Sequence, residues 1–112
     1  MLKRLLLALF VGAALVLATA GTVRVQQVGS AERGLLLASK ICADCHAVSK
    51  GEGRSANTRA PPFTAIANVP GMTNAALSAA LATSHRTMPN IILKNDEMSD
   101  VIAYIQSLKR AD

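Results

Sequence analysis

The chain has 112 residues and a formal net charge of +5, and it contains one tyrosine, two phenylalanines and no tryptophan. This length allows one domain of ordinary size. Nucleic-acid binding needs clustered positive charge and aromatic rings that stack on bases. The basic residues are scattered and the aromatic residues are few, so we expect no nucleic acid among the partners of this protein.

The N-terminus has the pattern of a secretory signal peptide. Lys3 and Arg4 precede an apolar run over residues 5–18, and residues 18–20 read Ala-Thr-Ala, the small-x-small pattern at which signal peptidase cleaves. The alternative is an uncleaved anchor, because the apolar run approaches the ~17 residues of a short membrane span. Both interpretations place the rest of the chain outside the cytoplasm.

These boundaries divide the chain into three parts. We predict a signal peptide over residues 1–20, a polar lead segment over 21–29 and a single functional domain over 30–112. The protein is expected in the periplasm, with contact to a membrane only if the first segment is retained as an anchor.

Residues 42–46 read Cys-Ala-Asp-Cys-His, which is the C-x-x-C-H attachment motif of a c-type haem. Two residues between the cysteines let one turn of chain bring both sulfurs to the two vinyl groups of a haem. The histidine that follows can then bind the iron from below the ring. We predict one haem c attached through thioethers of Cys42 and Cys45, with His46 as the first axial ligand.

Three other interpretations explain less. A thioredoxin-type dithiol belongs to a βαβ pattern, which is not apparent here. A structural zinc site needs four ligands, whereas the chain has two cysteines and two histidines, with His85 far from the motif. A disulfide between Cys42 and Cys45 would leave His46 unexplained.

The apolar periodicity predicts an all-α domain. Helices are expected over residues 31–42, as a single turn over 63–67, from 73 or 74 to about 84, and from 95 or 96 to about 108. The polar side chains of Asn95 and Asp96 suit the N-cap of the last helix. The first of these, capped by Ser30, delivers the C-x-x-C-H motif at its C-terminal end.

The second axial ligand has four candidates. Met98 lies on the apolar stripe of the last helix and is expected to pack in the core, and Met72 follows a Pro-Gly turn and is expected to fill space. Met88 lies in a loop just before Pro89, where the backbone can hold its thioether toward the haem. We predict Met88 as the ligand, with His85 as the alternative.

These features together resemble a small class I cytochrome c. The resemblance implies an all-α class I cytochrome c fold, in which three to five helices wrap around one covalently attached haem and the N- and C-terminal helices cross. The matching segments run in the family's order from residue 30 to 108: Gly34, the motif at 42–46, Ala-Pro-Pro-Phe at 60–63, Thr-Met-Pro at 87–89 and Asp-Val-Ile-Ala-Tyr-Ile at 100–105.

The resemblance also implies roles for single residues. Gly34 and Tyr104 match the small residue and the aromatic residue that meet where the two terminal helices cross. A proline carbonyl accepts the hydrogen bond from the proximal histidine in this family, and Pro61 is the candidate for His46, with Pro62 as the alternative.

The sequence departs from the mitochondrial-type members in two ways. Its loops after the proline pair are shorter, and the tryptophan and tyrosines that bind the haem propionates in those members have no counterpart. Arg54, Asn57 and Arg59 are the residues that could take over this role.

The resemblance implies a one-electron carrier and not an enzyme, because a haem with two protein ligands has no open site and no other catalytic set is recognisable. The expected partners are redox proteins, such as a dehydrogenase, an oxidase or another cytochrome, and a monomer is expected. Two alternatives keep the haem: a dedicated haem subunit of a dehydrogenase or oxidase complex, and an open-site haem enzyme or sensor if Met88 does not bind the iron.

Overall fold

The computed structural model describes residues 28–83 and 87–110. The predicted signal peptide and the boundary at residue 20 lie outside the described residues and stay predictions. In the described ranges no helix is both long enough and apolar enough to cross a membrane. The described residues form four helices and no strand, which confirms the all-α prediction: α1 (Ala31–Ile41), α2 (Phe63–Ala67), α3 (Asn74–Ala82) and α4 (Asn95–Ser107).

Helix α1 begins where the sequence predicts. Ser30 has an extended backbone, and its Oγ accepts a hydrogen bond from the N–H of Arg33 at 3.3 Å. This bond satisfies one of the free N–H groups of the first turn. The helix ends at Ile41, and the N–H of Cys42 donates to the carbonyl of Ala38. The first cysteine of the motif is therefore fixed at the C-terminal end of α1.

Helices α1 and α4 cross in direct backbone contact. A Cβ atom built on Gly34 would lie 2.0 Å from the carbonyl oxygen of Asp100 and 2.8 Å from Cβ of Tyr104. A Cβ atom on Gly29 would lie 1.9 Å from the carbonyl oxygen of Ser99. Only glycine fits at either position, because a side chain would overlap the backbone of α4. The crossing implied by the resemblance is therefore present, with Gly34 and Tyr104 at its centre.

A buried carboxylate ties the start of α1 to α4. Asp100 accepts from Nε of Arg33 at 2.7 Å, from Nη2 of Arg33 at 2.8 Å and from the N–H of Ser30 at 2.6 Å. The hydrogen bonds from the Arg33 guanidinium, followed by the one from Ser30, lower the pKa of Asp100 below its ordinary value. The Arg33–Asp100 ion pair and the Ser30–Asp100 hydrogen bond therefore hold the start of α1 against α4.

Helix α4 starts differently from the prediction. Its N-cap residue is Lys94, whose N–H donates to Oε2 of Glu97 at 2.9 Å. Asn95 and Asp96, which we expected to supply the cap, lie in the first turn of the helix. The stripe that follows packs on α1 and on the loop after the motif. The buried apolar residues are Ala38, Ala47, Val48, Phe63, Ala67, Leu77, Val101, Ile102, Tyr104, Ile105 and Leu108.

Candidate functional site

A largely apolar cavity of about 470 Å³ lies between the end of α1, the loop that leads into α2, helix α3 and residues 87–91. This volume falls within the range of small-molecule and cofactor sites, roughly 300–1,000 Å³. Apolar side chains make up most of its lining. Its larger apolar side chains are Ile41, Phe63, Ile66, Leu77, Leu81, Ile91 and Ile105.

The haem-binding side chains of the C-x-x-C-H motif line the cavity together. Cys42, Cys45 and His46 all line it, and both cysteines are free thiols. Burial raises the pKa of the Cys42 thiol to about 11, so this thiol is protonated at neutral pH. Within residues 28–83 and 87–110, no group of three or more histidine, cysteine, aspartate or glutamate side chains is placed to hold a metal ion.

The imidazole of His46 is oriented by a backbone carbonyl. Its Nδ1 lies 2.7 Å from the carbonyl oxygen of Pro61. Because a carbonyl oxygen can only accept, Nδ1 carries the proton of this hydrogen bond, which leaves the lone pair of Nε2 available for a metal. The acceptor is Pro61, the residue that the resemblance indicates, and not Pro62.

The loop before α2 holds the backbone around His46 on both sides. The N–H of Asn57 donates to the carbonyl of Cys45 at 3.0 Å, and the N–H of Phe63 donates to the carbonyl of Ala47 at 2.9 Å. The N–H of Ala47 donates to Oγ of Ser55 at 2.9 Å. Sequence reasoning missed Ser55, since it lies in a polar loop without periodicity, and only the folded chain shows what it touches.

Aromatic rings connect the site to the helix crossing. The ring of Phe63 lies 5.5 Å from that of His46 and 6.4 Å from that of Tyr104, measured between centroids. The hydroxyl of Tyr104 donates to the carbonyl of Val48 at 2.5 Å. Burial, with a smaller contribution from the negative charge of Glu52, raises the pKa of Tyr104. The α1–α4 contact therefore supports the loop that follows the motif.

Two of the candidate methionines line the cavity. Met88, between Thr87 and Pro89, is half-buried and faces the same space as His46. Met72 also lines the cavity, but it packs against the hydrophobic core as well. Met88, the predicted second ligand, and Met72 therefore both line the cavity.

Of the other two candidates, the structure describes only Met98. Met98 packs against the core, as predicted, and its Sδ accepts from the hydroxyl of Ser78 at 3.5 Å. It is not part of the cavity wall. His85 lies outside the described residues.

Two of the three residues suggested for the propionates lie at the cavity. Asn57 and Arg59 line it, whereas Arg54 does not. Oδ1 of Asn57 accepts from the N–H of Arg59 at 3.0 Å, which fixes the backbone that carries this exposed cation. Asp44 is the other charged residue of the wall.

The groups on this wall fit a covalently bound haem. Two thiols separated by two residues match two vinyl groups, an imidazole with a free Nε2 matches an iron ligand, and the apolar side chains match the faces of the macrocycle. The largely apolar lining, with Asp44 as its one carboxylate among the described residues, suits this group better than a hydrated metal ion.

Comparison with known proteins agrees with this chemistry. The family model described as "Cytochrome c" matches residues 31–109. The chain is 35% identical over 98 residues to "Cytochrome c-552" of Bradyrhizobium diazoefficiens, and the match covers 88% of this chain and 93% of that relative. No solved structure gives a significant match. The chain therefore belongs to the cytochrome c family and binds its haem c covalently.

Proposed function

We propose that this protein is a periplasmic one-electron carrier whose haem iron is bound by His46 and Met88. The observation that carries the proposal is that both side chains line the cavity that also contains Cys42 and Cys45. The bound haem supplies the redox chemistry, since its iron alternates between Fe(III) and Fe(II). An electron carrier of this kind needs fixed ligands and a water-poor surrounding, and the chain provides both.

The residues around His46 supply the fixed ligand. The carbonyl of Pro61 holds the Nδ1 proton and so sets the tautomer and the ring orientation. The backbone bonds from Asn57 and Phe63 hold the residues on either side. Little rearrangement of the protein is therefore needed when the charge of the site changes.

Met88 is a better second ligand than Met72 for a structural reason. Met72 is half-buried and packs against the hydrophobic core, and its carbonyl accepts from Nζ of Lys109 at 2.5 Å. Moving its thioether to a metal would leave a gap among its core neighbours, which costs free energy. Met88 lies in a turn just before Pro89 and lines the cavity without being part of the core cluster, so its thioether can bind a metal without that loss.

The periplasmic location and the partners are part of the same proposal. Covalent haem attachment and the signal-like N-terminus, with Lys3, Arg4 and an apolar run, both indicate export. The partners that fit are redox proteins: a dehydrogenase, an oxidase or another cytochrome. If His46 and Met88 both bind the iron, the haem would offer no position for a substrate, which argues against an enzyme.

Replacement of the second ligand tests the proposal. Met88→His should keep a covalently bound haem and lower the midpoint potential by on the order of 100 mV or more, because a thioether favours Fe(II) more than an imidazole does. Potentiometric titration of the purified protein measures this shift. Met72→Ala is the control and should leave the potential near that of the wild type. An unchanged potential in Met88→His, or a comparable fall in Met72→Ala, would contradict the assignment.

A further inference from the structure

Ser55 is a buried polar residue in direct contact with the backbone beside His46. Its side chain is 7% exposed, and its Oγ accepts from the N–H of Ala47 at 2.9 Å. Ala47 follows His46 in the chain and is itself 1% exposed. Water therefore cannot easily replace the hydroxyl as the partner of this N–H group.

The other bonds from the loop before α2 to residues 45–47 use backbone groups of the loop. The N–H of Asn57 binds Cys45, the N–H of Phe63 binds Ala47, and the carbonyl of Pro61 binds the ring of His46. Side-chain substitutions leave backbone groups in place, so these bonds are not readily removed by mutation. Among the loop residues that hold this segment, Ser55 is the one that makes its bond with a side-chain atom, so a substitution can remove it.

The position of the hydroxyl determines what it controls. The N–H of Ala47 belongs to the peptide unit that joins Ala47 to His46, so a rotation of this unit changes where Cα of His46 directs its imidazole. The acceptor for that imidazole, Pro61, lies on the same loop as Ser55. One loop therefore holds both the backbone and the ring of the histidine.

We propose that Ser55 is a positioning residue for His46: its hydroxyl fixes the Ala47 peptide so that Nδ1 of His46 points at the carbonyl of Pro61. This inference rests on the iron ligation by His46 proposed above. A well-aligned bond from Nδ1 makes the imidazole a stronger electron donor through Nε2. Stronger donation stabilises Fe(III), so Ser55 lowers the midpoint potential.

Ser55→Ala tests the proposal in the haem-loaded protein. The Ala47 amide loses its partner, and its hydrogen exchange should become faster by at least about tenfold, since an unpaired buried N–H costs on the order of 1.4 kcal/mol or more, which is a factor of ten. The midpoint potential should rise, and the paramagnetically shifted NMR signals of the His46 ring should move.

Two variants serve as controls. Ser30→Ala is the same substitution at another hydroxyl that binds a backbone N–H, that of Arg33, at the start of α1. It should reduce stability without changing the potential or the His46 signals. Ser55→Thr keeps the hydroxyl and should keep both the potential and the slow exchange of the Ala47 amide.

The outcomes separate this inference from the proposed ligation. If the His46 ring of the wild type shows no paramagnetic shift, the ligation itself is wrong. If the ring is shifted but Ser55→Ala leaves the potential unchanged, or Ser30→Ala raises it equally, the positioning role is wrong. Rapid exchange of the Ala47 amide in the wild type would also overturn it, and this measurement needs no variant.

Discussion

Gly34 lies at a point of the helix crossing that has no room for a side chain. Because a Cβ atom there would lie 2.0 Å from the backbone oxygen of Asp100, Gly34→Leu must push α1 away from α4. Overpacking usually costs about 1–3 kcal/mol, through movements of side chains. We expect a larger loss here, since two backbones would have to separate. Chemical denaturation of the haem-loaded protein measures the free energy of unfolding.

Gly53→Leu is the matched control for this prediction. An added Cβ atom at Gly53 would meet nothing within 4 Å, and the residue is exposed in the loop before α2. The control should unfold close to the wild type. A Gly34→Leu protein as stable as Gly53→Leu would mean that the two helices do not touch at Gly34.

Single residues differ in how well the sequence predicts them. Cys42, Cys45 and His46 form a short motif whose spacing follows from the chemistry of a haem, so they could be picked out without any structure. The role proposed for Ser55 could not be predicted from the sequence, since it depends on a hydrogen bond with the N–H of Ala47 that only the fold shows. The carbonyl of Pro61 was indicated by family resemblance alone, because any backbone carbonyl can accept a hydrogen bond.

At the scale of elements, the contact between α1 and α4 depends on the carboxylate of Asp100. This carboxylate binds both the guanidinium of Arg33 and the N–H of Ser30, the residue that caps α1. It therefore joins the start of one helix to the middle of the other. The ionised form makes these bonds best, which is why its pKa is lowered in the folded protein.

This arrangement predicts how stability depends on pH. The pKa of Asp100 is lowered by folding, so its contribution is complete above the pKa of an unfolded aspartate, about 4. It is lost as the pH falls below that value and through the lower folded pKa. Asp100→Asn should therefore be less stable than the wild type at pH 7, and the difference should shrink as the pH falls below about 4.

Unfolding experiments across this pH range check the prediction. Asp96→Asn is the control, since Asp96 is exposed on the same helix. Its difference from the wild type should change much less with pH. If the curves of Asp100→Asn and the wild type run parallel down to acidic pH, the ionised carboxylate does not hold the two helices together.

Elements were predicted better than their ends. Apolar periodicity predicted the three longer helices and a single turn was expected at α2, and α1 and α2 have the expected bounds to within a residue. Helix α3 ends at Ala82, slightly earlier than expected, and α4 is preceded by Lys94 as its cap. Ends depend on a few local hydrogen bonds, for which several neighbouring polar residues are suitable, whereas the buried face of a helix repeats over its whole length.

At the scale of the whole molecule, the N-terminal segment predicts export of the protein to the periplasm. The signal-like pattern predicts cleavage after Ala20, so the mature protein should begin at Gly21. Mass spectrometry of the protein purified from a periplasmic fraction should find this terminus. An intact N-terminus in the membrane fraction would instead favour an anchored protein, and co-purification with a larger enzyme would favour a dedicated haem subunit.

The cavity itself is a property of the whole molecule and was not visible in the sequence. It is built from the end of α1, the loop before α2, helix α3 and residues 87–91, which are far apart along the chain. The sequence indicated Met88 from its place before a proline. Met72 was expected only to fill space. Whether it lines the cavity together with Met88 depends on how α3 packs, which the sequence does not show.

The near-infrared absorption of the oxidised protein tests the central claim most directly, since a methionine sulfur bound to Fe(III) gives a charge-transfer band there. We predict this band in the wild type and in Met72→Ala, and its loss in Met88→Ala together with binding of cyanide or azide at the opened position. A Met88→Ala protein that keeps the band and its potential would contradict ligation by Met88, and with it the account of this protein as a closed-site electron carrier.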